Sequence, residues 1–142
     1  KKQVEHLIAD VVSQQDESVQ IRNLKILIAE DDETSDLLLT KMLEKNNHEV
    51  LHVNTGEKAV EICRNISDFD LILMDIRMPG MNGYEATRHI RKFNTDVIII
   101  AQTAYGLSGD RQKSIDAGCN EYLSKPIDKN ELLRLMQKYF ES

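Results

Sequence analysis

The residues with chemical potential in this chain follow apolar runs. Glu30-Asp31-Asp32-Glu33 comes directly after Leu24–Ala29, Asp75 after Leu71-Ile72-Leu73-Met74, and Lys125 shortly after Glu121-Tyr122-Leu123. An isolated acidic run is ordinarily a solvated turn, but carboxylates that converge on one cleft repel, and they take up protons or bind a hard cation. An oxygen-only donor set suits Mg²⁺, which takes one or two carboxylates and keeps several waters. Lys125 supplies the opposite charge, and Gln102-Thr103-Ala104, after a fourth apolar run, adds a hydroxyl. Asp75 is the most demanding of these groups, because an ionised carboxylate beside a core is costly without partners. Met78-Pro79-Gly80 follows it and stops the run, since proline fixes φ and lacks an N–H.

The elements that must position these groups alternate along the chain. Strands are expected at Leu24–Ala29, Glu49–Val53, Leu71–Met74, Asp96–Ala101 and Glu121–Leu123. Helices are expected at Thr34–Lys45, with Leu38/Met42 and Leu39/Leu43 as i,i+4 pairs, then at Glu57–Arg64 and Tyr84–Lys92. Two more are expected, from about Leu107 to Ala117 with Gly118 as the C′ residue, and over Lys129–Phe140 with Leu132, Leu135, Met136, Tyr139 and Phe140 on one stripe. Five βα units imply an α/β fold with a doubly wound, five-stranded parallel sheet. The apolar third and fourth strands belong inside that sheet and the mixed second and fifth at its edges. The flavodoxin-like order 2-1-3-4-5 is adopted by analogy with that class, whose ligands bind at the carboxyl ends of the strands around the β1/β3 switch point.

Composition narrows the function classes. A chain of 142 residues, 41% hydrophobic, suffices for one domain with a full core, and a net charge of −6 argues against direct nucleic-acid or anionic-membrane binding. Cys63 and Cys119 have no metal spacing and read as buried apolar residues of a reducing compartment, here the cytoplasm. His6, His48, His52 and His89 read as structural or solvated, and Met74, Met78 and Met81 as packing. Gly56, Gly80, Gly83 and Gly118 read as turns or caps. Residues 1–22 stand apart: Val4, Leu7, Ile8, Val11 and Val12 recur at helical spacing before a polar stretch, which suggests an amphipathic helix and linker preceding a domain at 23–142.

Taken in order, the acidic pair, Asp75 with Met78-Pro79-Gly80-Met81-Asn82-Gly83, Thr103-Ala104 and Lys125-Pro126 resemble the receiver domain of response regulators over about residues 24–141. That resemblance implies that Asp75 accepts a phosphoryl group from a phosphohistidine on a histidine kinase or histidine phosphotransfer protein. It also implies self-catalysed phosphorylation and dephosphorylation. Glu30 and Asp31 would hold Mg²⁺ with Asp75 and the backbone carbonyl of Arg77, although Asp31 and Asp32 are an alternative pair. Thr103 would bond a phosphoryl oxygen, Lys125 would pair with the phosphate, and Thr103 and Tyr122 would form the switch. An output surface is expected on the fourth helix, fifth strand and fifth helix; that face or the N-terminal helix is where a homodimer would form. Arg77 and Tyr105 are expected to slow hydrolysis of the phosphoryl group. The ending after the last helix resembles the C-terminal receiver of a hybrid sensor kinase; a free-standing single-domain regulator and a binding module without phosphotransfer are the other readings. A flavodoxin-type phosphate loop would not be acidic after the first strand, and a haloacid-dehalogenase-type phosphatase needs a second Asp where Arg77 stands.

Overall fold

The computed structural model describes residues 21–104 and 109–141. Their elements run β1 (Lys25–Ala29), α1 (Glu33–Met42), a 3₁₀ turn (Glu44–Asn46), β2 (Glu49–Val53), α2 (Gly56–Asn65), β3 (Leu71–Asp75), α3 (Gly83–Arg91), β4 (Ile98–Thr103), α4 (Asp110–Ala117), β5 (Glu121–Ser124) and α5 (Lys129–Phe140). All strand pairs are parallel, as the alternating elements predict, and the order is β2-β1-β3-β4-β5, the one adopted by analogy.

The apolar runs are continuous because the sheet is covered on both faces. Ile26, Ile28, Leu71, Leu73, Ile100 and Leu123 point to one side, where Leu39 and Leu43 from α1 and Leu132, Met136 and Phe140 from α5 pack on them. Leu27, Ala29, Ile72, Met74, Ile99 and Ala101 point to the other, against Ala59, Val60 and Cys63 of α2 and Ala86 and Ile90 of α3. Truncating a fully buried member such as Leu73 to alanine would cost about 2–5 kcal/mol through lost transfer energy and the cavity left behind. Cys63 and Cys119 are free and buried, and burial pushes both thiols up.

The helix starts are set locally. Asp32, Thr55, Asn82 and Asp128 cap α1, α2, α3 and α5, each accepting a backbone N–H two or three residues on. Gly118 ends α4 with φ 112°, the left-handed conformation expected of it.

Several boundaries and one packing assignment differ from the sequence reading. β4 begins at Ile98 rather than Asp96, because Asn94 Oδ1 accepts both Asp96 N and Val97 N at 3.1 Å and holds them in a turn. The first helix ends at Met42, and Asn47 at φ 53° reverses the chain after the 3₁₀ turn. Leu38 does not join Leu39 and Leu43 in the core: it is 52% exposed, and its neighbour Leu37 is 58% exposed. Ile21, assigned to the linker by pattern, is buried and bridges Glu141 antiparallel, while Arg22 bonds Asp70 at 3.1 Å and lies over the Phe140 ring. The amphipathic helix expected within residues 1–20, Tyr105, and the first residues expected in the fourth helix lie outside the described residues.

His48 closes the amino-terminal end of the sheet by accepting Leu24 N on Nδ1 at 2.9 Å. Burial lowers its pKa, with Asp70 opposing. The unfolded chain therefore binds this proton more readily than the fold does, so the contribution is complete above the ordinary histidine value of about 6.5. It is lost as pH falls through the lower folded value. In urea titrations at pH 7.5 and 5.5, wild type should lose more stability on acidification than His48→Ala; equal losses would contradict this role.

Candidate active site

Glu30, Asp75 and Lys125 come from three different segments and meet at the carboxyl edge of the sheet. Glu30 continues the β1 ladder, donating its N–H to Val53 O at 3.0 Å, and is 4% exposed. Asp75 is the last residue of β3 and is 2% exposed. Lys125 follows β5 and donates its backbone N–H to Thr103 O at 2.7 Å; its peptide bond to Pro126 is cis. Its ammonium reaches Glu30 Oε1 at 2.7 Å and Asp75 Oδ1 at 3.3 Å.

These charges work against one another. Burial first, then the hydrogen bond and charge of Glu30, push the Asp75 carboxyl up to about 7, with Lys125 only partly offsetting them. Burial disfavours the Lys125 ammonium, but Glu30 and Asp75 outweigh that and raise its pKa. One ammonium thus serves two buried carboxylates, leaving the cluster short of positive charge.

Glu30, Asp31 and Asp75 each offer a carboxylate oxygen, and these oxygens lie within 4.8 Å of one another. An all-oxygen set around a buried acid is what a hard divalent cation such as Mg²⁺ accepts, so the donors fit that ion. Asp32, the alternative member of the acidic pair, is occupied elsewhere. Its Oδ2 accepts Ser35 N at 3.0 Å and Ser35 Oγ at 2.7 Å, and those bonds hold its carboxyl below the usual range. The structure therefore places Asp31, not Asp32, beside Glu30 and Asp75.

The remaining candidates surround this cluster at different distances. Arg77 has an exposed side chain, and its backbone N–H approaches Asp75 Oδ1 at 3.4 Å. Thr103 ends β4 and is 6% exposed; strand alternation puts it with Ile99 and Ala101, on the sheet face opposite Asp75. Tyr122 is half-buried on the edge strand β5, its hydroxyl 3.2 Å from Ser124 Oγ.

Three residues have roles that escaped the sequence reading. Gly83 is not merely a turn residue: it opens α3, donates its N–H to Ile76 O at 2.9 Å, and any Cβ there would run into the Asp75 carbonyl. The loop after Asp75 folds back onto the strand only because that side chain is missing. Gly56 does the same for α2 against the Met81 carbonyl. A glycine next to a helix-capping Asn82 was visible in the sequence, but the close approach it permits was not. Gln102, beside Asp75 in register, is buried and carries no sequence signal beyond its position in a strand.

Comparison with known proteins agrees with this geometry. Residues 26–137 match the response regulator receiver domain family. The chain is 40% identical over 119 residues to hybrid signal transduction histidine kinase M of Dictyostelium discoideum, covering 80% of this chain but 5% of that protein. It is 39% identical over 112 residues to protein PilH of Pseudomonas aeruginosa, covering 78% of this chain and 92% of PilH. Among solved structures, the receiver domain of a Pseudomonas aeruginosa sensor histidine kinase, with a magnesium ion in its active-site cleft, superposes with TM-score 0.75 and 38% identity, over 84% of this chain and 99% of that one. A Saccharomyces cerevisiae receiver domain, solved in complex with a histidine phosphotransfer protein, has TM-score 0.79 and 29% identity, over 84% of this chain and 90% of that one. The buried aspartate, the lysine that reaches it and the acids around it thus belong to a response regulator receiver domain, the family of which this chain is a member.

Proposed function

We propose that Asp75 is a phosphoacceptor that takes a phosphoryl group from a phosphohistidine of a kinase or phosphotransfer partner. The observation that carries this reading is the meeting of a 2% exposed Asp75 carboxylate with Lys125 Nζ at 3.3 Å and with the Glu30 and Asp31 oxygens. In the transfer, the P–N bond of the donor breaks as an Asp75 carboxylate oxygen forms the new P–O bond, giving an acyl phosphate. Glu30, Asp31, Asp75 and the Arg77 carbonyl are the groups that would hold Mg²⁺, which supplies charge neutralisation for the phosphoryl oxygens. Lys125 holds a second positive charge over the acceptor, and Gly83 lets the loop after β3 close beneath it.

The product places roughly −1.5 to −2 charge where carboxylates already repel. In this reading Thr103, the last residue of β4, reaches over the open carboxyl end of the sheet to the phosphoryl oxygens and Tyr122 follows inward, altering the α4-β5-α5 face that signals onward. Leu37 and Leu38, exposed by 58% and 52% on the helix that starts at the acidic rim, suit a partner that must cover the cleft to deliver its phosphohistidine. The yeast receiver solved with a phosphotransfer protein supports that class of partner.

A hybrid sensor kinase, with this chain in its cytoplasmic portion, is the context favoured by the kinase relative, of which the chain spans only 5%. A free-standing regulator is the second reading, favoured by PilH, of which it spans 92%. Among the described residues no helix is long and apolar enough to cross a membrane.

Four outcomes test this reading. Asp75→Asn should accept no label from a phosphorylated donor, whereas persistent labelling would exclude Asp75. With its carboxyl raised, Asp75 costs the fold stability as pH rises from about 4 to about 7, so Asp75→Asn should be about 1–3 kcal/mol more stable than wild type at pH 8 without divalent cations. Added Mg²⁺ should narrow that gap in urea denaturation. Tyr122→Ala should be labelled normally but lose phosphorylation-dependent binding of the downstream partner, and unchanged binding would remove Tyr122 from the switch. Leu37→Asp with Leu38→Asp should slow transfer from a phosphorylated donor at least about tenfold while leaving beryllofluoride binding intact; undiminished transfer would place the partner elsewhere.

A further inference from the structure

Gln102 is 1% exposed, and neither Oε1 nor Nε2 of its carboxamide has a hydrogen-bond partner among the described residues. Its backbone is satisfied, since its carbonyl accepts Ile76 N at 3.0 Å. Only the side chain is idle. Buried amides are nearly always bonded, and an idle one at a candidate site calls for an explanation.

Its position supplies one. Gln102 pairs with Asp75 across β3 and β4 and with Leu123 across β4 and β5. Like Ile98 and Ile100 before it on alternate positions of β4, it faces the same side of the sheet as Leu73, Asp75 and Leu123. Lys125 leaves the end of β5 and places its ammonium on Glu30 and Asp75, at the ends of β1 and β3. In the order β1-β3-β4-β5 that side chain must cross β4, and Gln102 is the residue of β4 that faces it from below. An ammonium has three donors, of which two are engaged among the described residues, at 2.7 Å to Glu30 and 3.3 Å to Asp75.

Esterification of Asp75 changes what the ammonium meets. One carboxylate oxygen becomes the bridging oxygen of an acyl phosphate, and the charge moves outward onto the phosphoryl oxygens. We propose that Gln102 is a positioning residue for this phosphorylated state: its idle carboxamide oxygen accepts the third N–H of Lys125 and fixes the ammonium between Glu30 and the phosphoryl group. This deepens the phosphoacceptor reading of Asp75 and rests on it. An apolar side chain of the same length would suit the fold as it stands better than glutamine does, because no amide would be left unpaired. Glutamine is the better residue only where a later state gives the amide a partner.

The test compares wild type with Gln102→Met, a substitution that keeps length and removes both polar atoms. Without ligand, Gln102→Met should keep the wild-type circular dichroism and melt a few degrees higher. By calorimetric titration with beryllofluoride and Mg²⁺, a mimic of the phosphoryl group, it should bind about tenfold more weakly than wild type, the worth of one charge-assisted hydrogen bond. In wild type, the Gln102 side-chain Cδ and Nε2 resonances should shift on saturation with the same mimic, which a purely space-filling residue would not require. Binding by Gln102→Met within about twofold of wild type, or unmoved carboxamide resonances, would overturn this inference alone. Failure of wild type itself to bind the mimic would overturn the Asp75 reading and this one with it. Gln102→Leu gives a second apolar variant held to the same outcomes.

Discussion

The constraint on which the site depends is a shortage of positive charge in a place water barely reaches. Glu30 and Asp75 are almost wholly buried at adjacent strand ends, and one ammonium, carried by Lys125 across an intervening strand, is shared between them. Burial alone drives the Asp75 carboxyl towards protonation, and Glu30 adds to it. A carboxylate kept uneasy in this way gains from whatever neutralises it, a cation or a bond to phosphorus. In the proposed function, cation binding and group transfer thereby share one electrostatic cause.

The rest of the sheet makes that cause affordable. Its amino-terminal end is held by neutral or locally paired contacts, with His48 on Leu24, Asp70 bridging Arg22 and the Lys25 backbone, and Lys25 against Asp68. Between the two ends lie two apolar layers in which the strand side chains are almost entirely excluded from solvent. Stability is concentrated there, away from the acids, so the carboxyl edge can carry repulsion without loosening the strands that position it. The glycine contacts at Gly56 and Gly83 serve the same end by letting the loops above the edge sit directly on backbone.

The polar residues near the edge divide by what their side chains already hold. Asp32 is spent on starting α1, and Asn82 on starting α3, so neither competes for a ligand. Asp31 stays exposed and unencumbered by a cap, while Glu30 is fixed on both oxygens, by Lys125 and by Asp32 N. Three of the four consecutive acids therefore play distinct parts, separated by one-residue differences in where the strand stops and the helix begins.

Much of this was legible without coordinates. Apolar runs such as Leu71–Met74, each ending in a polar group, report strands buried on both faces and the edge at which they emerge, because periodicity and burial are properties of neighbours in sequence. Met78-Pro79-Gly80 and Gly118 likewise announce their breaks through their own backbone preferences. What required the tertiary structure were relations between segments far apart in the chain. Asp32 caps its helix through its own neighbours, but no local pattern tells that Asp31 faces Asp75, that Leu38 turns outward while Leu39 turns in, or that Gly83 must lack a side chain because the Asp75 carbonyl occupies its place. Composition and spacing determined which groups were available and at which end of the sheet they emerge. Only packing decided which of them touch, because contact and burial depend on distances that sequence separation does not encode.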